Sequence, residues 1–304
     1  MIDAVLLIAF GGPTAGHEIR PFLENVTRGR RIPSERLEEV ARHYERMPGG
    51  RSPLNDLTAA QARALRAALA HAGTPLDVHV GMRNWHPYLH ETLADLALSG
   101  ARRCLGVIMS SLRCEASWDR YHADVAEARA RTPGAPEVVF APPWSTHRGF
   151  VGAVTDRTRQ ALATVPADAR AWTPLVFTAH SIPVPMAETA PYVSEFAVAS
   201  RAVAERLRHP RWSLAYQSRS GRPEDRWLEP DVNDVLTSFA ADGERHAVVV
   251  PIGFVCDHVE VLYDLDVEAA GRARERGLTV HRAEAVNVHP AFIEALADIV
   301  RKAA

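Results

Sequence analysis

The sequence predicts an α/β protein built as two Rossmann-like, doubly wound domains with parallel sheets and a cleft between them. Short apolar runs of strand length alternate with longer stretches of helical periodicity along the whole chain. A length of 304 residues is generous for one compact domain and comfortable for two. Pro142-Pro143 interrupts the pattern near the middle.

The elements follow in order. Residues 4–10 form the first strand, an unbroken apolar run after a short polar start. In the helix over 59–72, Leu65 and Leu69 recur at helical spacing among alanines. A strand at 77–82, a helix at 87–98, a strand at 105–110, a helix at 121–131 and a strand at 138–141 complete the first half. Beyond the two prolines come a helix at 149–165 and strands at 175–179, 213–216, 247–255 and 278–281, with a helix at 194–208 after the first of them. The stretch after residue 258 reads as a helix with Val259, Tyr263, Val267 and Ala270 on its core stripe. The domains are expected at 1–147 and 148–289, with a last helix, 290–304, packing back on the first. Each strand followed by a helix implies parallel pairing, and ligands in such folds lie beyond the carboxyl ends of the strands.

Composition removes several classes of function. The formal net charge is −2, so no strong field favours nucleic acid. The amino terminus lacks the basic region and cleavage site of a signal peptide. No apolar stretch approaches the roughly 20 residues that span a bilayer, and the protein is expected to be cytoplasmic. Cys104, Cys114 and Cys256 match no zinc or iron–sulfur spacing and suit a reducing compartment. Of the 35 lysines and arginines only Lys302 is a lysine, near the end of the chain. That argues against pyridoxal-phosphate enzymes, Schiff-base aldolases and P-loop NTPases, which need a placed lysine.

Chemistry-bearing residues collect after the strands. The first strand runs into Phe10-Gly11-Gly12-Pro13, a tight turn that would let backbone approach a ligand, without the GxGxxG or GK[ST] of a nucleotide loop. Downstream, Arg28, Arg30 and Arg31 surround Gly29, as either a solvated loop or a cradle for carboxylates or phosphates. His180 ends the fifth strand. Histidine's ordinary pKa, about 6.5, suits a proton acceptor, and a structural turn histidine is the competing reading. After the seventh strand, Glu260, Asp264 and Glu268 fall at four-residue spacing in one acidic row. Such a row is either a solvated helix face or a path for a divalent cation, and carboxylate with imidazole suits Fe²⁺.

At these residues the chain resembles the ferrochelatases. Four ordered blocks carry the resemblance: Gly49-Gly50-Arg51-Ser52-Pro53-Leu54 with Gln61; Phe177-Thr178-Ala179-His180-Ser181-Ile182-Pro183; Tyr216-Gln217-Ser218-Arg219-Ser220-Gly221 with Trp227-Leu228-Glu229-Pro230; and Pro251-Ile252-Gly253-Phe254-Val255-Cys256-Asp257-His258-Val259-Glu260. It implies a chelatase-like fold and insertion of Fe²⁺ into a porphyrin in haem synthesis. His180 and Glu260 would be the catalytic pair, and His180, Glu260, Asp264 and Glu268 would meet the metal. Phe10, Arg28, Tyr44, Ser52, Gln61, Ser117, Tyr121 and Trp227 would bind the porphyrin. Iron is then a substrate, and neither a prosthetic group nor an iron–sulfur cluster is expected. A monomer is expected, with porphyrin, iron and, transiently, other haem-pathway enzymes as partners.

The blocks around Phe10 and over 22–31 resemble actinobacterial enzymes that use coproporphyrin III, and protoporphyrin IX is the competing substrate. Three other readings stay open: a haem carrier on the same fold, a two-lobed periplasmic metal-binding protein, and a cobalt chelatase. The first would not need both His180 and the acidic row, the second needs a signal peptide, and motifs of the third are not seen.

Overall fold

The computed structural model describes residues 1–29, 33–220 and 224–304. The chain divides into two compact units, one of residues 1–109, 116–142 and 293–304, the other of 110–115 and 143–292.

In the first unit β1 (Ala4–Ala9) lies between β2 (Asp77–Met82) and β3 (Arg103–Ile108), and β4 (Glu137–Phe140) is added outside β3. All pairings are parallel, in the order β2-β1-β3-β4. Every residue of β1 is buried, because helices cover both faces of a central parallel strand. Three helices precede β2 where the sequence suggested one: α1 (Ile19–Val26), α2 (Ser34–Glu45) and α3 (Leu54–His71). Only Tyr44 of α2 is buried, so its apolar signal was faint. The layer is completed by α4 (Leu89–Leu98) and α5 (Arg120–Ala130).

The second unit repeats the plan. After α6 (Arg148–Ala163) come β5 (Leu175–His180), the short α7 (Val184–Glu188), α8 (Tyr192–Leu207) and β6 (Trp212–Gln217). Then follow α9 (Val232–Ala241), β7 (His246–Val250), α10 (Val259–Leu262), α11 (Ala270–Glu275) and β8 (Thr279–Arg282). The sheet order is β6-β5-β7-β8, all parallel. In both units the order reverses beside the first strand, so β1/β3 and β5/β7 flank the two switch points where open α/β sheets bind ligands. The chain ends in α12 (Pro290–Ala303).

Two expectations need correcting. β7 stops at Val250 rather than 255, because Pro251 has no N–H to continue the ladder. The core stripe after residue 258 is Val261, Leu265, Ala269 and Ala273, all essentially buried, while Val267 is exposed. Between α10 and α11 residues Asp264–Ala269 wind as a π-helix, and Glu268 N–H donates to Tyr263 O, five residues back. An α-helix turns about 40° past a full circle every four residues, so a four-residue repeat drifts off its face. The wider π winding cancels the drift and keeps four such residues in register.

One glycine is forced by this packing. After Pro251 the backbone crosses the end of β5, and Gly253 N–H donates to Thr178 O at 3.0 Å. A Cβ on Gly253 would lie 2.7 Å from both Cα and Cβ of Ala179. Gly253→Ala is expected to cost about 1–3 kcal/mol of overpacking strain and to displace the neighbouring His180. Thermal unfolding beside a turnover assay checks both, and unchanged values would show that the strand end yields freely.

Candidate functional site

The second unit places His180 at the last position of β5 and Glu260 in the first turn of α10, one on each side of the β5/β7 switch point. His180 Nε2 and Glu260 Oε1 are 3.6 Å apart. The other ring nitrogen, Nδ1, is bonded to the Ser181 carbonyl. A carbonyl only accepts, so Nδ1 carries the hydrogen and the neutral ring presents its lone pair at Nε2, towards Glu260. Once Nε2 takes a proton, the imidazolium faces a carboxylate. The pair can therefore receive a proton from a third molecule and hold it.

Buried groups fix both partners from behind. Tyr192 of α8 donates its hydroxyl to His180 O at 2.8 Å, and burial raises the phenol's pKa well above its usual value, so it remains a donor. Gln217, at the end of β6, donates Nε2 to Glu260 O at 2.6 Å. His258 caps α10, its Nδ1 accepting Glu260 N–H at 3.2 Å. Burial pushes the His258 pKa down against the pull of Glu260, which keeps the ring neutral and Nδ1 able to accept. Ser218 follows β6 with φ +62°, a left-handed conformation uncommon outside glycine, and its hydroxyl meets the Asp264 carboxylate. The Trp227 ring centroid lies 6.5 Å from that of His180.

The later members of the acidic row have separate partners. Asp264 is taken by Ser218, and Glu268 pairs with Arg272 at 2.8 Å, one turn further on. Among the described residues, no three histidine, cysteine or acidic side chains gather as a metal-binding group. Of the four residues expected to meet the metal, His180 and Glu260 face each other, and Asp264 and Glu268 each have a partner of their own.

The first unit assembles an aromatic group after β1. Phe10 is 39% exposed and meets Phe22 edge-on, and Phe22 in turn meets Tyr44 and Trp85. Glu18 accepts from Trp85 Nε1 at 2.9 Å, from Thr14 N–H at 2.7 Å and from Thr14 Oγ1 at 2.8 Å, and these bonds hold its carboxyl below the ordinary pKa against burial. The Arg83 guanidinium lies 4.3 Å from the centroid of Tyr121 and 6.0 Å from that of Phe10, with its charge on Asp124. Gly12 does make a close backbone approach, but within the protein: a Cβ there would stand 2.7 Å from Ser52 Cβ, and its N–H donates to Asn55 Oδ1 at 2.9 Å. Phe10, Tyr44 and Tyr121 thus come together, whereas Ser52 and Gln61 are buried and Ser117 half-buried. Arg28 is exposed, and its field only partly offsets the rise that burial and Glu91 give the Tyr88 pKa. Arg30 and Arg31 lie outside the described residues, as does Gly221.

Sequence reasoning missed Arg83, Tyr192 and Arg282, and gave Ser218 no role. Arg83 and Ser218 come immediately after β2 and β6, and Arg282 ends β8. The strand-end rule that found His180 would have found all three.

Comparison with known proteins bears on what the site does. A ferrochelatase family model matches residues 2–304. A coproporphyrin III ferrochelatase of Mycobacterium avium is 44% identical over 302 residues, 98% of this chain and 87% of that protein. One from Frankia alni is 45% identical over 315 residues, covering 99% and 80%, and one from Streptomyces coelicolor is 41% identical over 318 residues, covering 98% and 84%. Among solved structures the chain resembles SirB from Bacillus subtilis with Fe³⁺, with a TM-score of 0.59, 13% identity and 99% and 95% of the two chains covered. CbiX, the terminal enzyme of sirohaem synthesis in denitrifying bacteria, matches with a TM-score of 0.55 at 13% identity, covering 99% of each chain. At such identities these structures speak for the chelatase fold alone.

Proposed function

Because the chain belongs to the ferrochelatase family, we propose that it inserts Fe²⁺ into coproporphyrin III to form coprohaem, with His180 as the proton acceptor. The observation that carries this reading is the Nε2 lone pair of His180, aimed at Glu260 across the switch point of a parallel sheet. Insertion replaces two pyrrole N–H bonds by bonds from iron to nitrogen, so two protons leave for each metal that enters. His180 takes one at Nε2, and the Glu260 carboxylate stabilises the imidazolium. Glu260 then receives the second proton or guides iron in, with Asp264 and Glu268 continuing the acidic line. The aromatic group headed by Phe10 offers a flat macrocycle an apolar surface, and the exposed Arg28 is a cation for its propionates. Trp227, with its ring close to that of His180, would flank the bound porphyrin. Among the described residues no helix is long and apolar enough to cross a membrane. Cys104, Cys114 and Cys256 are all buried and form no disulfide, which suits a protein at work in the reducing cytoplasm.

Coproporphyrin III is favoured over protoporphyrin IX by the names of the actinobacterial relatives, although a relative from Rhodopirellula baltica, 40% identical, is named simply a ferrochelatase. Anaerobic insertion of Fe²⁺ into each porphyrin, followed by the change in porphyrin absorption, separates them. Turnover at least tenfold faster with coproporphyrin III is expected. Turnover confined to protoporphyrin IX would overturn the substrate and keep the reaction. Tight haem binding with no insertion would favour a carrier.

A further inference from the structure

Glu260 sits on a segment that cannot hold its own shape. α10 is a single turn of four residues, and the winding after it is π, so neither has helical stability of its own. Besides Gln217 on Glu260 O and Ser218 on Asp264, contacts on either side hold the segment. Upstream, Asp257 N–H donates to Asn287 Oδ1 at 2.9 Å. The Asp257 carboxylate accepts from Asn287 Nδ2 at 2.7 Å, from Ala285 N–H at 3.1 Å and from Arg282 Nη1 at 2.8 Å. Downstream, Asp266 lies inside the π winding and accepts from Arg282 Nε at 2.6 Å.

Arg282 therefore touches the chain three residues before Glu260 and six after it. Its own place is set by β8, where it pairs with Val249 of β7, and by a bond from Nη1 to Ala283 O at 3.1 Å. Its side chain is 15% exposed and that of Asp257 13%, so their charge-assisted bond is largely shielded from water. Burial works against the guanidinium's charge, but the bond to Asp266 and the fields of Asp257, Asp266 and Glu284 outweigh it and raise its pKa.

We propose that Arg282 is a positioning residue for metal insertion, a staple between Asp257 and Asp266 that holds Glu260 opposite His180. The proposal rests on the role given to that pair above. It needs arginine in particular: Nε and Nη1 reach two carboxylates in two fixed directions, whereas a lysine ammonium is one point charge.

The test compares Arg282→Met, Arg282→Lys and Asp266→Ala with the wild-type protein. Asp266 is the more exposed partner, so its variant spares the Asp257 pair if Arg282→Met fails to fold. Two readouts are taken on folded protein: kcat and KM for porphyrin and Fe²⁺ insertion, and amide hydrogen exchange over residues 259–269. Arg282→Met is expected to lower kcat roughly 10- to 100-fold with porphyrin KM little changed, the scale of a displaced catalytic group. Exchange should accelerate in this segment alone. Asp266→Ala should move both in the same direction by less, and lysine should restore only part of kcat. Wild-type kcat in folded variants, or loss of activity only in step with loss of folded protein, would overturn the staple. If the wild-type protein inserts iron into no porphyrin, the functional reading falls. Unchanged exchange in the variants would then overturn the staple on its own, and faster exchange would sustain it.

Discussion

His180→Ala is expected to remove iron insertion while leaving the protein folded and able to bind porphyrin. The ring is partly exposed at the end of β5, and the strand is anchored through its backbone by the Tyr192 hydroxyl on His180 O. Truncation therefore keeps the anchor and opens no large cavity, so the stability change should stay small. What disappears is the lone pair at Nε2, and loss of a positioned base lowers rates by about 10²- to 10⁴-fold. Turnover in the anaerobic assay should fall by that much, with the porphyrin dissociation constant within a few-fold of wild type. Free imidazole should restore part of the rate, because the Glu260 carboxylate remains to stabilise it. An alanine variant inserting iron at the wild-type rate would take His180 out of the reaction.

Much of the fold was legible because central parallel strands are dry on both faces. β1, β5 and β7 read as unbroken apolar runs for that reason, and their alternation with helices announced parallel pairing. The order within each sheet was not legible, since pairing such as Ala4 with Asp77 joins distant parts of the chain by backbone bonds that no side chain announces. α2 escaped notice because its narrow apolar stripe, Leu37, Val40, Ala41 and Tyr44, lies among many charged residues and only Tyr44 is buried.

The site was legible in proportion to how local its logic is. His180 was found because the strand and its end are adjacent in sequence. The acidic row was found as a four-residue repeat, but the buried stripe beside it was misphased. Val259, Tyr263 and Val267 recur at the same four-residue spacing as the buried Val261, Leu265 and Ala269, so spacing alone did not choose between the two stripes. Glu268 then spends its charge on Arg272, which the same four-residue spacing could have revealed. Tyr192 and Arg282 act through partners 12 and 16 or more residues away. Only its place at the end of β8 marks Arg282, and no local pattern marks Tyr192.

Glu260→Gln tests the second half of the pair and separates two roles for it. Glutamine keeps the length of the side chain. The backbone anchors, His258 Nδ1 on Glu260 N–H and Gln217 Nε2 on Glu260 O, involve no carboxylate, so α10 should keep its place. Only the charge goes. Both side chains of the pair are partly exposed, so water already screens their attraction and the variant should fold as well as wild type. If the carboxylate serves to hold the imidazolium and take the second proton, kcat should fall by about 10²-fold at unchanged KM for Fe²⁺. If it serves to bring iron in, KM for Fe²⁺ should rise with a smaller loss of kcat. Steady-state insertion measured against Fe²⁺ concentration at saturating coproporphyrin III distinguishes the two. The geometry favours the first outcome, because the carboxylate faces the one ring nitrogen that can accept a proton, while Asp264 and Glu268 already have partners of their own. Wild-type values for both constants would remove Glu260 from the chemistry and leave His180 to work with solvent alone.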